Sequence, residues 1–359
     1  MMSSVTALLE QALPVLIFLV SITVVAEIAE LAGVFALAGH WAARAAGGRT
    51  VLLWLLVVVL ATGCTIVLSL DTTAVLLTPV VIAVARRTGV DPVPLAMTTL
   101  WLANTASLLL PVSNLSNLLA LHHFSQFGGH RSYLSVAWRP ALAAIVVTVL
   151  LLALLHHRRL RGRYSPAPEE PCADRPLRAM VAVVCVLLGP VFVVGVMPAV
   201  AATGAALLLL ALLAVRDRQA LRRIRVPWRM VLAIAALFAV VRWLGGLFLD
   251  RWLAAAVGSG NGVLDHLRIA GIGGGGANLI NNLPAYLALE PAAADSPERL
   301  LALLVGVNVG PLVVLWASLA TLLWRDRCVR LGVRIPLTTL AWQGALLAGL
   351  AVPVAALVI

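Results

Sequence analysis

The sequence contains no lysine, so all 26 of its basic Lys and Arg positions are arginine. A P-loop needs the lysine of GxxxxGK[ST], which excludes ATP hydrolysis by that route. Imine chemistry on a lysine amine is excluded with it. Any uphill work must therefore draw on an ion gradient, the membrane potential or a separate ATPase. Cysteine is also scarce. Cys64, Cys172, Cys185 and Cys328 lie far apart with no CxxC spacing, so they read as structural thiols without disulfides. The N-terminal stretch MMSSVTALLEQALPVLIF has no basic n-region, and a cleaved signal peptide is not expected.

What the chain has in abundance is apolar surface. It is 62% hydrophobic and 11% charged, with a mean hydropathy of +1.03. Apolar runs of about 18 residues or more recur, the length that crosses roughly 30 Å of hydrocarbon. The alternating ten-residue segments of a membrane β-barrel do not occur. The expected fold is an all-α polytopic membrane protein, located in the cell membrane, with the bilayer as its first partner. Expected membrane segments are 13–38, 50–69, 71–86, 94–120, 134–156, 179–195, 198–215, 229–249, 268–290, 299–324 and 336–358. The Arg- and Pro-rich stretch 158–178 reads as a cytoplasmic linker between a first membrane repeat, 1–157, and a second, 179–359.

The formal charge of +11 invites a nucleic-acid reading, but its distribution gives another. If 50–86 and 268–290 each return to their starting side, twenty of the 26 arginines fall on one face. They include RRLRGR at 158–163 and RDRQALRR at 216–223. The positive-inside rule makes that face cytoplasmic and turns both termini outward. The charge marks orientation, and no nucleic-acid partner is needed to explain it.

The halves resemble each other. ANTASLLLPVSNLSN (103–117) aligns with VNVGPLVVLWASLAT (307–321): Asn104 falls on Asn308, Ala106 on Gly310, Pro111 on Leu315 and Asn114 on Ser318. Upstream, LSLDTTAVLLTPVV (68–81) lies on LINNLPAYLALEPA (279–292), with Asp71 near Asn282. An odd number of crossings separates equivalent positions, so the expectation is two inverted-topology repeats with re-entrant hairpins and broken helices, a secondary-transporter signature.

A break in a spanning helix is tolerated only where it is buried in protein or lines a wet cavity. Pro111 removes a donor and clashes with the carbonyl one turn back. The freed backbone and the neighbouring Asn and Ser side chains then need partners, and a polar solute is one. Half-helix N-termini suit an oxyanion or hydroxyl oxygens. GGGGANLINNLPA (273–285) repeats the logic with Asn278, Asn281, Asn282 and Pro284. One alternative is that such residues only glue helices together; two clusters in register favour a site. Asp71, flanked by Thr72 and Thr73 in an apolar run, is a candidate coupling or substrate-contacting carboxylate.

Other motifs carry less. Glu27 and Glu30 share a helix face, and a solvated or structural role is favoured over a proton relay. Glu290 is expected at the interface. Gly271, Gly273 and Gly276 match GxGxxG without a preceding strand, so no dinucleotide cofactor follows. His122–His123 and His156–His157 sit at helix ends without metal-ligand spacing and read as interfacial. No metal or cofactor is expected. An intramembrane enzyme ranks below transport, since GxSxG, HExxH and paired-Asp motifs are absent.

LDTTAVLLTPVV (70–81), ANTASLLLPVSNLSNLLA (103–120), GANLINNLPAYLALEP (276–291), GVNVGP (306–311) and SLATLLW (318–324) together resemble the arsenical-pump membrane protein family. That family sits within the ion-transporter superfamily that includes dicarboxylate carriers of the SLC13 type. The resemblance covers nearly the whole chain. It implies export of arsenite or antimonite, driven by proton exchange or membrane potential, with a soluble ATPase partner in some members. It maps the substrate site to Asn104, Thr105, Ser113 and Asn114 in one half and to Asn278, Asn281, Asn282, Asn308 and Ser318 in the other, with Asp71 for coupling. Related folds form homodimers, although no dimer surface is legible here. The chain departs from the family at Leu70 and at Leu312, Val314, Leu315 and Ala317, which makes the second half of the site more apolar. The first half lacks counterparts of 179–195 and 198–215, a two-helix difference that preserves orientation. A sodium- or proton-coupled carrier of carboxylates or another anion is the second reading.

Overall fold

The computed structural model describes residues 2–165, 174–224 and 250–359, with isolated positions at 228, 231, 232 and 236. The expected segment 229–249 lies almost wholly outside the described residues, as does Cys172. In hydrocarbon a backbone must satisfy its own hydrogen bonds, which leaves helices as the available element for runs this apolar. Every regular element among the described residues is helical, apart from one isolated antiparallel bridge between Arg49 and Arg163. Thr50–Leu68, His130–His156, Arg175–Val194, Pro198–Arg216 and Leu337–Ala356 are each long and apolar enough to cross a membrane. The chain is a multi-pass α-helical membrane protein.

The expected single segment 13–38 is instead two helices, Met2–Leu31 and Val34–Ala45, bent by 59°. Gly33 at the bend has φ 76°, a left-handed conformation that glycine adopts without a Cβ clash. Two hairpins follow at equivalent places. Thr50–Leu68 folds back at Ser69 into a helical arm over 70–88 that contains a π turn, Thr73–Leu77. Val263–Ile280 folds back at Asn281 into Asn282–Ala293. The reversals are direct: Thr65 and Thr73 share a hydroxyl hydrogen bond of 2.9 Å, and Gly276 lies against Ala285 and Leu289. Ser69 (φ 122°) and Asn281 (φ 110°) are the only non-glycine residues with positive φ among those described. Each caps its second arm, Ser69 Oγ accepting from the Thr72 amide and Asn281 Oδ1 from the Leu283 amide. Matching the two tips places Asp71 opposite Leu283, one residue away from the expected Asn282. The turn geometry decides this register, and it leaves no sequence signal.

After each hairpin comes a broken helix. Pro92–Thr105 resumes as Leu115–Phe124, and Pro297–Val309 resumes as Leu319–Arg330. The breaks match in backbone. Leu110 (φ −116°, ψ 147°) corresponds to Val314 (φ −117°, ψ 154°), and Asn114 (φ −149°, ψ 144°) to Ser318 (φ −142°, ψ 140°). Between them Pro111–Ser113 and Leu315–Ala317 each form one 3-10 turn. The second break forms although Leu315 replaces proline. The spacing is the one that sets Asn104 on Asn308.

The glycine-rich run lets the second hairpin press against its broken helix. A methyl at Gly306 would collide with the Ala270 carbonyl oxygen and lie 2.9 Å from the Gly274 nitrogen, and one at Gly310 would lie 2.7 Å from the Gly274 Cα. Small residues that let backbones approach are a main source of helix association in lipid. Gly306→Ala is therefore expected to destabilise by about 1–3 kcal/mol, the usual cost of overpacking. Gly275→Ala, where a methyl meets nothing within 4 Å, should be near neutral. Thermal unfolding of the two variants in detergent checks the contrast.

Candidate functional site

Asn308 is the penultimate residue of Pro297–Val309, at the edge of the second break, and is wholly buried. Its Oδ1 accepts from Asn114 Nδ2 at 2.8 Å and from Ser116 Oγ at 2.9 Å, and its Nδ2 donates to Asn117 Oδ1. Asn117 Nδ2 in turn donates to the carbonyls of Ser107 (2.6 Å) and Leu110 (3.2 Å) at the first break, the Leu110 carbonyl also accepting from the Ser113 amide at 3.1 Å. One amide from the second half thus organises the unwound backbone of the first.

Each hairpin is also stitched to the break of its own half. Ser113 Oγ donates to the Ile66 carbonyl at 2.9 Å. Asn278 Nδ2 donates to the carbonyls of Gly274 and Gly310, both at 2.8 Å, while its Oδ1 accepts from the Val313 amide at 3.1 Å. Asn281 Nδ2 donates to the Trp316 carbonyl at 2.8 Å. The tip of the first hairpin packs against Pro92–Thr105 and Leu319–Arg330, so elements of both halves surround Asp71.

The named residues thus divide by what they touch. Asn114, Ser113, Asn278, Asn281 and Asn308 tie hairpins and breaks together. Asn282 Oδ1 accepts from the adjacent Leu283 amide. Thr105 points elsewhere: it donates to the Trp101 carbonyl and accepts from Thr148 at 3.0 Å on His130–His156. Five buried polar atoms on the hairpin tip and the broken helices have no partner among the described residues: Asp71 Oδ1, Trp101 Nε1, Asn104 Oδ1, Ser318 Oγ and Thr321 Oγ1. Ser116, Asn117 and Thr321 join the site without having been singled out for it. Asn114 and Asn117, three apart in sequence, carried a signal for the first two; Thr321, in the first turn of Leu319–Arg330, carried none.

Two charged clusters lie beyond the breaks. Glu290, expected at the interface, is buried against neighbouring helices. It is 8% exposed, and its Oε1 accepts from Tyr286 OH at 2.8 Å and pairs with His123 Nε2 at 3.0 Å. Packing of Leu115–Phe124 on Asn282–Ala293 creates that burial, and distant segments of sequence do not reveal it. Arg299 is buried as well, yet its guanidinium is taken up by Asp295 (2.6 Å) and the carbonyls of Gly258, Gly260 and Ala292. It clamps the far end of the second hairpin, with four of its five N–H donors engaged by these partners. Glu30 is exposed and Glu27 half-buried. No cluster of three or more His, Cys, Asp or Glu able to hold a metal occurs among the described residues.

An aligned pair of hairpins and broken helices with polar side chains at both breaks is an arrangement for enclosing a small polar solute between two halves of a membrane protein. The comparisons agree with that class. The family described as citrate transporter (CitMHS) matches residues 1–321. The arsenical pump membrane protein of Escherichia coli strain K12 is 28% identical over 333 residues, covering 85% of this chain and 76% of the relative. The protein of the same name from Shigella flexneri gives the same values, and that from Yersinia enterocolitica is 27% identical over 333 residues, 85% of this chain and 76% of its own. With the match running from residue 1 to residue 321, the chain belongs to the citrate transporter family, whose members are membrane transporters rather than enzymes.

Proposed function

We propose that the chain is a secondary transporter that exports a small neutral oxyacid or oxyanion, with arsenite or antimonite as its substrate, by proton exchange or membrane potential. The observation that carries this reading is the set of buried polar atoms on the hairpin tip and broken helices that lack a partner among the described residues: Asp71 Oδ1, Trp101 Nε1, Asn104 Oδ1, Ser318 Oγ and Thr321 Oγ1. Leaving such groups unpaired costs roughly 1–3 kcal/mol each, so a bound solute that satisfies them is favoured. Amides and hydroxyls match the hydroxyl groups of As(OH)₃. The relatives named arsenical pump membrane protein support the same substrate.

The family description favours a second reading, a sodium- or proton-coupled carrier of citrate or another carboxylate. A multiply charged anion needs cationic or dipolar compensation, and the buried guanidinium of Arg299 already pairs with Asp295 and spends three further bonds on backbone carbonyls. The neutral oxyacid therefore ranks first. In this proposal the two halves are inverted repeats, the Arg-rich loops are cytoplasmic and both termini face outward. The Arg-rich loops are then where a soluble ATPase would dock, and a homodimer is compatible with the arrangement.

Arsenite uptake into everted vesicles with an imposed pH gradient tests the function. Wild type should show saturable uptake. Asn104→Ala, Asn308→Ala and Asp71→Asn should each lose at least about tenfold in uptake at subsaturating arsenite, equivalent to about 1.4 kcal/mol. Excess citrate should not compete. Citrate uptake in place of arsenite uptake would establish the second reading. The sidedness has its own check: an impermeant thiol reagent should label Ser165→Cys from the cytoplasmic face and not from outside.

A further inference from the structure

The His123–Glu290 pair has no part in the polar site at the breaks, and its surroundings are unusual for a surface ion pair. His123 ends the resumed first broken helix, Leu115–Phe124, and Glu290 stands on the second arm of the second hairpin, Asn282–Ala293. The two helices pack together, so the pair joins the halves at a point separate from the Asn308 cluster. The side chains are 24% and 10% exposed, respectively. Glu290 Oε1 takes both the His123 and the Tyr286 contacts, whereas no hydrogen bond to Oε2 occurs among the described residues.

We propose that this pair is a binding site for the exchanged proton, and that its protonation state sets how tightly Leu115–Phe124 closes on the second hairpin. The proposal rests on the proton-exchange reading above. A neutral imidazole beside a carboxylate carries one net negative charge. One proton taken from the outer water onto the free ring nitrogen gives an imidazolium–carboxylate pair with no net charge. Burying a compensated pair costs far less than burying a lone ion. The protonated pair therefore favours the closed packing seen here, and its loss of a proton leaves an uncompensated charge that draws water between the helices. The proposed topology places both residues toward the outer face, where an incoming proton arrives. Intramembrane and near-membrane carboxylates kept at such a cost mark ion pathways.

Other ionisable groups nearby do not displace this assignment. Tyr286 donates to Glu290 from its own helix, and the His122 ring lies 5.8 Å from that of His123. On His130–His156, Tyr133 is buried and donates to the Leu108 carbonyl; His130, Arg131, Arg139 and His156 complete that helix. Glu27 and Glu30 on the first helix, Asp265, His266 and Arg268 on Val263–Ile280, and Glu298 and Arg299 on Pro297–Val309 share packed elements with the pair. None of them forms a hydrogen bond or ion pair with His123 or Glu290.

Two measurements on the full chain test the inference. In everted vesicles, the ratio of arsenite uptake with and without an imposed pH gradient should fall from several-fold in wild type to about one in Glu290→Gln and in His123→Gln. A ratio unchanged in both variants overturns the proposal. Histidine ¹⁵N NMR of the purified protein in nanodiscs gives a readout that needs no substrate. The His123 signal, assigned by its loss in His123→Gln, should take up one proton. Its midpoint should move to lower pH in Glu290→Gln, because the imidazolium loses its counter-charge. A midpoint that does not move overturns the pair as a proton site. If wild type takes up no arsenite, the substrate reading falls, and the NMR titration still decides the pair.

Discussion

The hydrogen bonds of Asn308 hold together a structure that a lipid medium would otherwise forbid. A helix that stops in mid-membrane exposes carbonyls and amides where no water can meet them, at several kcal/mol per group. In the first half those carbonyls, Ser107 and Leu110, are met by Asn117, and Asn117 is oriented by Asn308 from the second half. Interhelical side-chain bonds in membranes average only about 0.6 kcal/mol each. Three such bonds to Asn308 are thus a small term in total stability. Their consequence is register: the two breaks can be supported only when they face each other at this offset.

Close packing supplies the stabilisation that hydrogen bonds do not. Apolar burial gives little driving force between helices already in lipid, so contact area and backbone proximity decide association. Ala270, Gly273 and Gly274 lie against Gly306 and Gly310, and the glycines carry no Cβ to hold the backbones apart at that contact. Asn278 then reaches from hairpin to break and joins the carbonyl of Gly310 to the amide of Val313. Of the glycines that resemble a nucleotide-binding fingerprint, Gly273 packs on Gly306 and Gly276 against Ala285 and Leu289 of the second arm. Arg299 plays a comparable structural part, four of its contacts anchoring the segments that frame the second hairpin.

The halves are alike in backbone and unlike in chemistry. Asn104 and Asn308 are equivalent positions, yet Asn308 uses both ends of its amide across the interface. Asn104 donates only to the Leu100 carbonyl of its own helix and leaves Oδ1 unpartnered. Ser318 stands where Asn114 stands and likewise has no partner. Departures from the arsenical pattern after Gly310 accompany this difference, since apolar Leu312, Val314 and Leu315 offer no side-chain polar atoms of their own. The first break is thus braced from the second half, while unpartnered side-chain atoms occur on both.

Much of this architecture was legible in the residues. Hydropathy determined the helical membrane class, because no other element satisfies a backbone in hydrocarbon. Arginine placement marked orientation as an expectation, and the spacing from Asn104 to Asn308 located both breaks, even the one lacking proline. Tertiary structure decided the rest. The bend at Gly33, the one-residue register of the hairpin tips, the Asn308–Asn117 contact and the burial of Glu290 against His123 depend on which helices meet. Composition and period report each helix's own faces, whereas partners some 170 to 190 residues apart in sequence are set by packing alone.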